Sequence, residues 1–414
     1  MSTTTVLRPP LEATTAAPAR LASVDVIRGL TILVMIFVND VAGVVGTPGW
    51  MKHIEPPNAD GMTFVDVVFP AFLFIVGLAI PLALERRLAR ESRADTWRHV
   101  LTRTLGLLVI GVLMVNGPVD HVLPRDLWTL LMYAGVILVW VRLPAAKART
   151  TRLLRAAGIA LLLLMAVLYR GSGEPGLIEL RPRWWGILGL IGWAYLVAAG
   201  VYLVARDRLL VLGAAVVALY GLFMVDAAGW LPDVPWLAVG PVLGSHAALT
   251  LSGALAGAAM LLPASRFGAP AARVRFALGF GAAMALAAVA LHTGRDVHTM
   301  FTINKIAATP AWCLWSGAIT IWLWALAYWL FDARRTTPRV PLLELSGQNA
   351  LLAYILAPIF YAAVARTSTL LDVPNYYARL GGSFGTGFAR SLLFAIFVCW
   401  VAAALRRRDV VLKL

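Results

Sequence analysis

Residues 37–74 read FVNDVAGVVGTPGWMKHIEPPNADGMTFVDVVFPAFLF. Two apolar runs are joined by a short polar stretch that holds the first histidine of the chain, His53. Followed outward, the runs extend over residues 24–46 and 64–84. A bilayer core about 30 Å thick asks for roughly 20 mostly apolar residues per crossing helix. Both runs meet that requirement, so the sequence predicts two membrane helices with His53 held between their ends.

The same pattern governs the remaining residues. Of 414 residues, 60% are hydrophobic and 14% charged, a balance that cannot keep a globular surface in water. Apolar windows recur at 100–117, 126–142, 153–169, 184–204, 208–225, 240–263, 274–292, 307–330, 342–364 and 388–405, which with the first two makes twelve. The predicted fold class is therefore all-α, a polytopic helical membrane protein. Spans six and seven are parted only by ARDRLL and are compatible with two helices or one. Residues 1–22, rich in Thr, Ala and Pro and lacking an apolar signal core, are expected to form a disordered cytoplasmic tail. Residues 23–414 then read as one transmembrane domain.

Lys and Arg near span ends mark the cytoplasmic side. With the amino terminus inside, 26 of the 36 basic residues fall on inward segments, which puts both termini in the cytoplasm. The net charge of +15 is thus largely a topology signal. No basic helix with interleaved aromatics stands outside the spans, so a nucleic-acid partner is not expected. Cys313 and Cys399 both lie in apolar spans, which argues against a disulfide and against a cysteine metal site. The Ala- and Arg-rich style suggests a bacterial inner membrane protein. Small-residue faces such as LSGALAGAAM suit packing within one protomer or between two, and a homodimer stays open.

Ionisable groups inside spans are costly and each needs a reason. In SVDVIRGLTILVMIFVND, Ser23 is placed to cap the first helix, and Asp25 and Arg28, three apart, share a face and can pair. Asn39 and Asp40 lie near the opposite end, about 16 to 18 Å along the helix from Arg28. Thr63 and Asp66 have the spacing of a capping box, and Pro70 should bend the helix they begin. His53 lies in a loop short enough to stay near both Asn39 and Asp66. A carboxylate within reach would fix its tautomer and balance its charge. Asn304 and Lys305 stand in another loop on that side, and Ser346, Gln348 and Asn349 near the inner face.

The run SVDVIRGLTILVMIFVN, then KH, then DGMTFVDVVFPAFLFIVGLAI resembles the heparan-alpha-glucosaminide N-acetyltransferase family of membrane acyltransferases and its bacterial relatives. The similarity continues as INKIAATPAW, GQNALLAYILAPIFY and RRRDVVLKL. It implies a ten-helix core, here with spans six and seven as an extra pair. It also implies that cytoplasmic acetyl-CoA acetylates an amine or hydroxyl of a sugar-like or small-molecule acceptor across the bilayer. On that resemblance His53 matches the catalytic histidine, Asn39 its companion asparagine and Asp66 the acidic residue of the following D-x-x-F-P run. Arg28, Asn304, Lys305 and Asn349 match other recurring polar positions. IEPPNAD stands where the family carries an aromatic and a Trp-Asn pair.

The implied chemistry is acyl transfer from a thioester. Arg28, Arg86, Arg87, Arg90, Arg98 and Asn349 are the candidate partners of the acetyl-CoA donor, and Asp40, Asn304 and Lys305 of the acceptor. His53 acts as general base or carries the acetyl group itself, Asn39 donates to the oxyanion, and Asp66 orients the imidazole. No metal is required. The rival reading is a twelve-helix secondary transporter, which predicts two similar halves. The second half holds nothing like KHIEPPNADGMTFVDVVFP.

Overall fold

A computed structural model describes residues 21–116, 123–143, 148–169, 180, 184–262, 265–334 and 339–414. Residues 1–20 of the expected tail lie outside the described residues. Eleven of the described helices are long and apolar enough to cross a membrane, and α4 (Arg125–Trp140) is a shorter twelfth. The others are α1 (Ala22–Val41), α2 (Phe64–Leu88), α3 (Arg93–Val115), α5 (Ala148–Val167), α6 (Gly186–Ala205) and α7 (Leu209–Ala227). Then come α8 (Ala247–Met260) with a π-helical lead-in from Val239, α9 (Pro270–His292), α10 (Pro310–Phe331), the short α11 (Pro341–Gln348), α12 (Ala350–Leu370), the single turn α13 (Tyr376–Arg379) and α14 (Phe384–Arg407). Each expected span has a helical counterpart. The chain is a polytopic all-α membrane protein.

Three details differ from the sequence reading, and one settles an alternative it left open. The first span ends at Val41 rather than 46, because Thr47 turns its hydroxyl back onto the carbonyls of Val41 and Val44. Spans six and seven are separate helices, parted at Arg206, whose φ of 58° no helix accommodates. The eleventh span is divided into α11 (Pro341–Gln348) and α12 at Asn349. Finally, Ser23 does not cap α1. Both carboxylate oxygens of Asp332, at the end of α10, accept from the amides of Ala22 and Ser23 at 2.9 Å, which places a negative charge at the positive end of the helix.

Helix α2 is the axis of the bundle. It begins with the expected capping box: the Thr63 hydroxyl accepts from the Val65 amide and Asp66 accepts from the Thr63 amide. One face of α2 lies against α8, where Gly77, Gly253 and Gly257 let the two backbones come nearly into contact. The run LSGALAGAAM therefore packs within the protomer. In contrast α5 and α7 expose Leu153, Ile159, Leu163, Leu210 and Val217, the apolar surface a lipid environment demands.

At the arginine-rich end the segment after α14 folds back. A two-residue strand, β2 (Val411–Leu412), pairs antiparallel with β1 (Val141–Arg142). Asn349 holds it in place, accepting from the Leu412 amide at 3.1 Å and donating to the carbonyls of Ala402 and Val410.

The capping assignment is checked by thermal unfolding in detergent. We expect Asp332→Ala to cost about 1 kcal/mol, and Ser23→Ala to stay within roughly 0.5 kcal/mol. Equal losses would return the cap to Ser23.

Candidate functional site

The loop between α1 and α2 delivers His53 to the start of α2. His53 Nδ1 lies 2.7 Å from Asp66 Oδ1. The Asp66 side chain is fully buried (0% exposed), whereas that of His53 is 48% exposed at the mouth of the site. The other oxygen of Asp66 accepts from the amides of Ile54 at 3.2 Å and Thr63 at 2.9 Å. A buried carboxylate with this set of donors is an acceptor only, so Nδ1 carries the imidazole proton and Nε2 keeps its lone pair. The tautomer that general-base chemistry needs follows from the hydrogen bonds alone.

Lys305 completes the cluster from 252 residues away. Its Nζ lies 2.9 Å from Nε2 and 3.0 Å from Nδ1 of His53, over the face of the ring, and 3.9 Å from Asp66 Oδ1. Burial draws the Lys305 amine below its usual 10.5, against the opposing pull of Asp66. The result is an imidazole between a buried carboxylate and a poorly hydrated amine.

Two residues the sequence reading passed over hold the loops together. Asp60 accepts from the Ile303 amide through one oxygen and meets His292 Nε2 through the other, both at 2.8 Å. The Gly61 amide donates to the Ile303 carbonyl at 2.8 Å. Asn304 adds a third tie: its amide donates to the carbonyls of Pro57 and Ala59 and its oxygen accepts from Ala307. Asn304 thus spends its polar groups on the backbone. No local pattern marks Asp60 or His292, because their partners lie more than 200 residues away in the chain.

The other candidates separate into distinct places. Asn39 is exposed in the last turn of α1, and no hydrogen bond joins it to His53. Asp40, one residue on and turned about 100° around the helix, is 4% exposed and belongs to a different cluster. It accepts from Tyr361, Tyr377, Ser391 and Arg390 at 2.6 to 2.9 Å. The structure does not bring Asp40 to the histidine.

At the opposite end of the bundle a cavity of about 730 Å³ opens. Its rim carries Arg28, His99, Arg103, Arg142, Arg406 and Lys413. Of the expected donor arginines only Arg28 lines it; Arg86, Arg87, Arg90 and Arg98 do not. Arg87 instead meets Glu91 at 2.9 Å. Asn349 is also absent from the wall and acts through the strand it clamps. Burial pulls the Lys413 amine down, and the neighbouring Arg142, Arg87, Arg103 and Arg406 pull it down further. A rim that crowded with cations favours an anion.

The cavity narrows inward to Ile32, Met35, Phe72 and Tyr354. Above them Met35, Val38, Val65 and Val68 form an apolar cluster with Phe72 and Tyr354 packed on it. Val65 adjoins Asp66 and Val38 adjoins Asn39. Met35, Phe72 and Tyr354 thus belong both to the cavity wall and to the apolar cluster between α1 and α2. Among the described residues no three His, Cys, Asp or Glu side chains gather as metal ligands.

A membrane-spanning helical bundle with a His–carboxylate pair at one end and a cation-lined cavity at the other is the class defined by fold and site. Residues 20–174 match a domain of unknown function, DUF5009. Over 102 residues the chain is 36% identical to heparan-alpha-glucosaminide N-acetyltransferase of Homo sapiens, and over 98 residues 37% identical to the Mus musculus protein of that name. These matches relate the chain to the heparan-alpha-glucosaminide N-acetyltransferases. They cover 24% and 23% of this chain, which spans 14% of the length of each curated relative.

The loop ties are tested by hydrogen exchange. Asp60→Ala should speed exchange of the Gly61 and Ile303 amides about ten- to hundredfold, the loss of roughly 1–3 kcal/mol of local hydrogen bonding. Burial pushes the Asp60 carboxyl up, but the bonds from His292 and Ile303 outweigh it and hold it below the usual 3.8. A depressed carboxyl stabilises the fold above its unfolded value and loses that effect as pH falls through the folded value. Protection should therefore not respond to Asp60 between pH 7 and pH 5, and should fall only as the pH drops through the depressed folded value. Unchanged exchange in Asp60→Ala would show that the loops are held by other means.

Proposed function

We propose that this chain is a CoA-dependent membrane acyltransferase. It moves an acetyl group from cytoplasmic acetyl-CoA to an amine or hydroxyl of a sugar-like or small-molecule acceptor on the far side of a bacterial inner membrane. The observation that carries the proposal is the 2.7 Å His53–Asp66 pair at the start of α2, with a cation-rimmed cavity along the other end of the same helix. The relatives' name supplies the reaction class. Sidedness rests on the 26 of 36 basic residues assigned to the arginine-rich side.

The rim cations Arg103, Arg142, Arg406 and Lys413 receive the phosphates of the donor, and Arg28 lines the same cavity. The apolar walls, Ile32, Val76, Leu107 and Ile191 among them, suit the uncharged arm that carries the thioester. Met35, Val38, Val65 and Val68 must part for the acyl group to reach the histidine. His53 Nε2 takes the proton of the attacking amine or hydroxyl, and Asp66 balances the imidazolium that forms. Asn39 is the proposed donor to the oxyanion, from the helix turn beside the floor cluster. The proton then passes from His53 to the departing thiolate.

In detergent, His53→Ala should abolish acetyl-CoA turnover and Asp66→Asn, which keeps a capping oxygen, should lower it about 10²- to 10⁴-fold. Arg103→Gln or Lys413→Gln should raise KM for acetyl-CoA about ten- to hundredfold, the worth of one charge-assisted hydrogen bond, with kcat far less affected. Arg90→Gln should leave KM in place. Turnover that survives His53→Ala would sink the assignment of the site; a KM that responds to Arg90 and ignores Arg103 would move the donor to the loop.

A further inference from the structure

His53 already has an amine in front of it. Lys305 Nζ stands 2.9 Å from Nε2 and 3.0 Å from Nδ1, so an amine already touches the imidazole, over its face and outside the plane of the Nε2 lone pair, and the Lys305 side chain is 20% exposed. Three ties fix the two loops together: Asp60 to Ile303 and His292, Asn304 to Pro57 and Ala59, and Gly61 to Ile303. The amine is consequently held to the imidazole by the same stitching that shapes the site. Such preorganisation is worth many orders of magnitude in effective concentration, about 10⁵ M or more in favourable cases.

We propose that Lys305 is a self-acylation site: when no acceptor fills the pocket, the acyl group brought to His53 is transferred to Lys305 Nζ. This rests on the acyltransferase reading above. Lys305 first gives its extra proton to water at the open mouth, which leaves His53 Nε2 free for the proton released later. The free amine attacks the thioester carbonyl, a C–N bond forms and the C–S bond breaks. The proton released from the amine passes through His53 Nε2 to the thiolate, which leaves as the thiol of CoA. No oxidant, reductant or metal enters the balance. Partial burial of Lys305 increases the share of free amine.

An amide is not an intermediate that water or an acceptor readily discharges. Acylation of Lys305 would remove a charge and add an uncharged group beside the imidazole, closing the site to acceptors. The sequence contains four lysines, Lys52, Lys147, Lys305 and Lys413, so the modification has a simple background. Lys52 is the sharpest comparison, since it adjoins His53 in the chain while its side chain has no hydrogen bond to the ring.

The full chain in detergent is incubated with acetyl-CoA alone, released thiol is followed in solution, and peptides are then read by mass spectrometry. We expect one acetyl group on Lys305, stable to hydroxylamine, with Lys52 unmodified, loss of the label in Lys305→Arg, and at least a hundredfold slower labelling in His53→Ala. Thiol release with Lys305 unmodified, or with a hydroxylamine-sensitive label confined to His53, overturns the proposal and leaves the acyltransferase reading standing. Equal labelling of Lys52 and Lys305, or labelling indifferent to His53, overturns it as background chemistry. No thiol release from a protein that unfolds cooperatively overturns both.

Discussion

One buried carboxylate organises the functional end of this bundle. Asp66 has no exposed side-chain surface, and an unpaired charge in such a place costs several kcal/mol. It persists because the chain surrounds it with donors: the amides of Thr63 and Ile54, the imidazole of His53 and, at longer range, the ammonium of Lys305. Each donor fixes a different element. Thr63 starts α2, Ile54 pins the loop, His53 is set in one tautomer, and Lys305 draws in the segment before α10. The backbone carbonyl of Asp66 accepts from Trp312 of α10 as well, at 3.1 Å, so that helix is keyed to the same residue. The arrangement makes the site and the start of the central helix a single cooperative unit.

The opposite end follows different physics. There the problem is too many cations rather than one buried anion. Arg406 is drawn toward Asp409 and Gln348, and Arg103 lies over the Tyr195 ring at 4.6 Å, yet the rim stays strongly positive. The two ends are separated by the small apolar floor around Val65 and Val68. Each aliphatic side chain there is worth about 1.5–3 kcal/mol of burial.

Spans and motifs were legible in the sequence to different degrees. Apolar windows predict helices well because a bilayer admits little else, and every window has its helix. The capping box and the closeness of His53 to Asp66 were legible too, since both depend on residues within a few turns of one another. Asp332 as the cap of α1, the ties made by Asp60 and His292, and the rim formed by Arg103, Arg142 and Lys413 were not. Those depend on helices meeting that are far apart in sequence. A basic loop announces its charge, but which arginines face a cavity is settled by packing, and so Arg28 lines the cavity while Arg86, Arg87, Arg90 and Arg98 do not. Asp40 illustrates the same limit. Its neighbour Asn39 suggests a shared site, yet adjacent helical positions diverge, and Asp40 joins α1 to α12 and α14 instead.

The strand that Asn349 clamps has a bearing on biogenesis. Val411, Leu412 and Lys413 form part of the cavity wall, and they follow the last membrane helix, α14. Chains emerge from the ribosome from the amino terminus and their helices enter the bilayer in that order. The His53 half of the bundle can therefore be assembled from α1 and α2 early, while the cationic cavity stays open-sided until synthesis has passed α14. During that interval the nascent protein has no enclosed place for a phosphorylated ligand. Completion of the wall is thus a late event that waits on the insertion of every preceding helix.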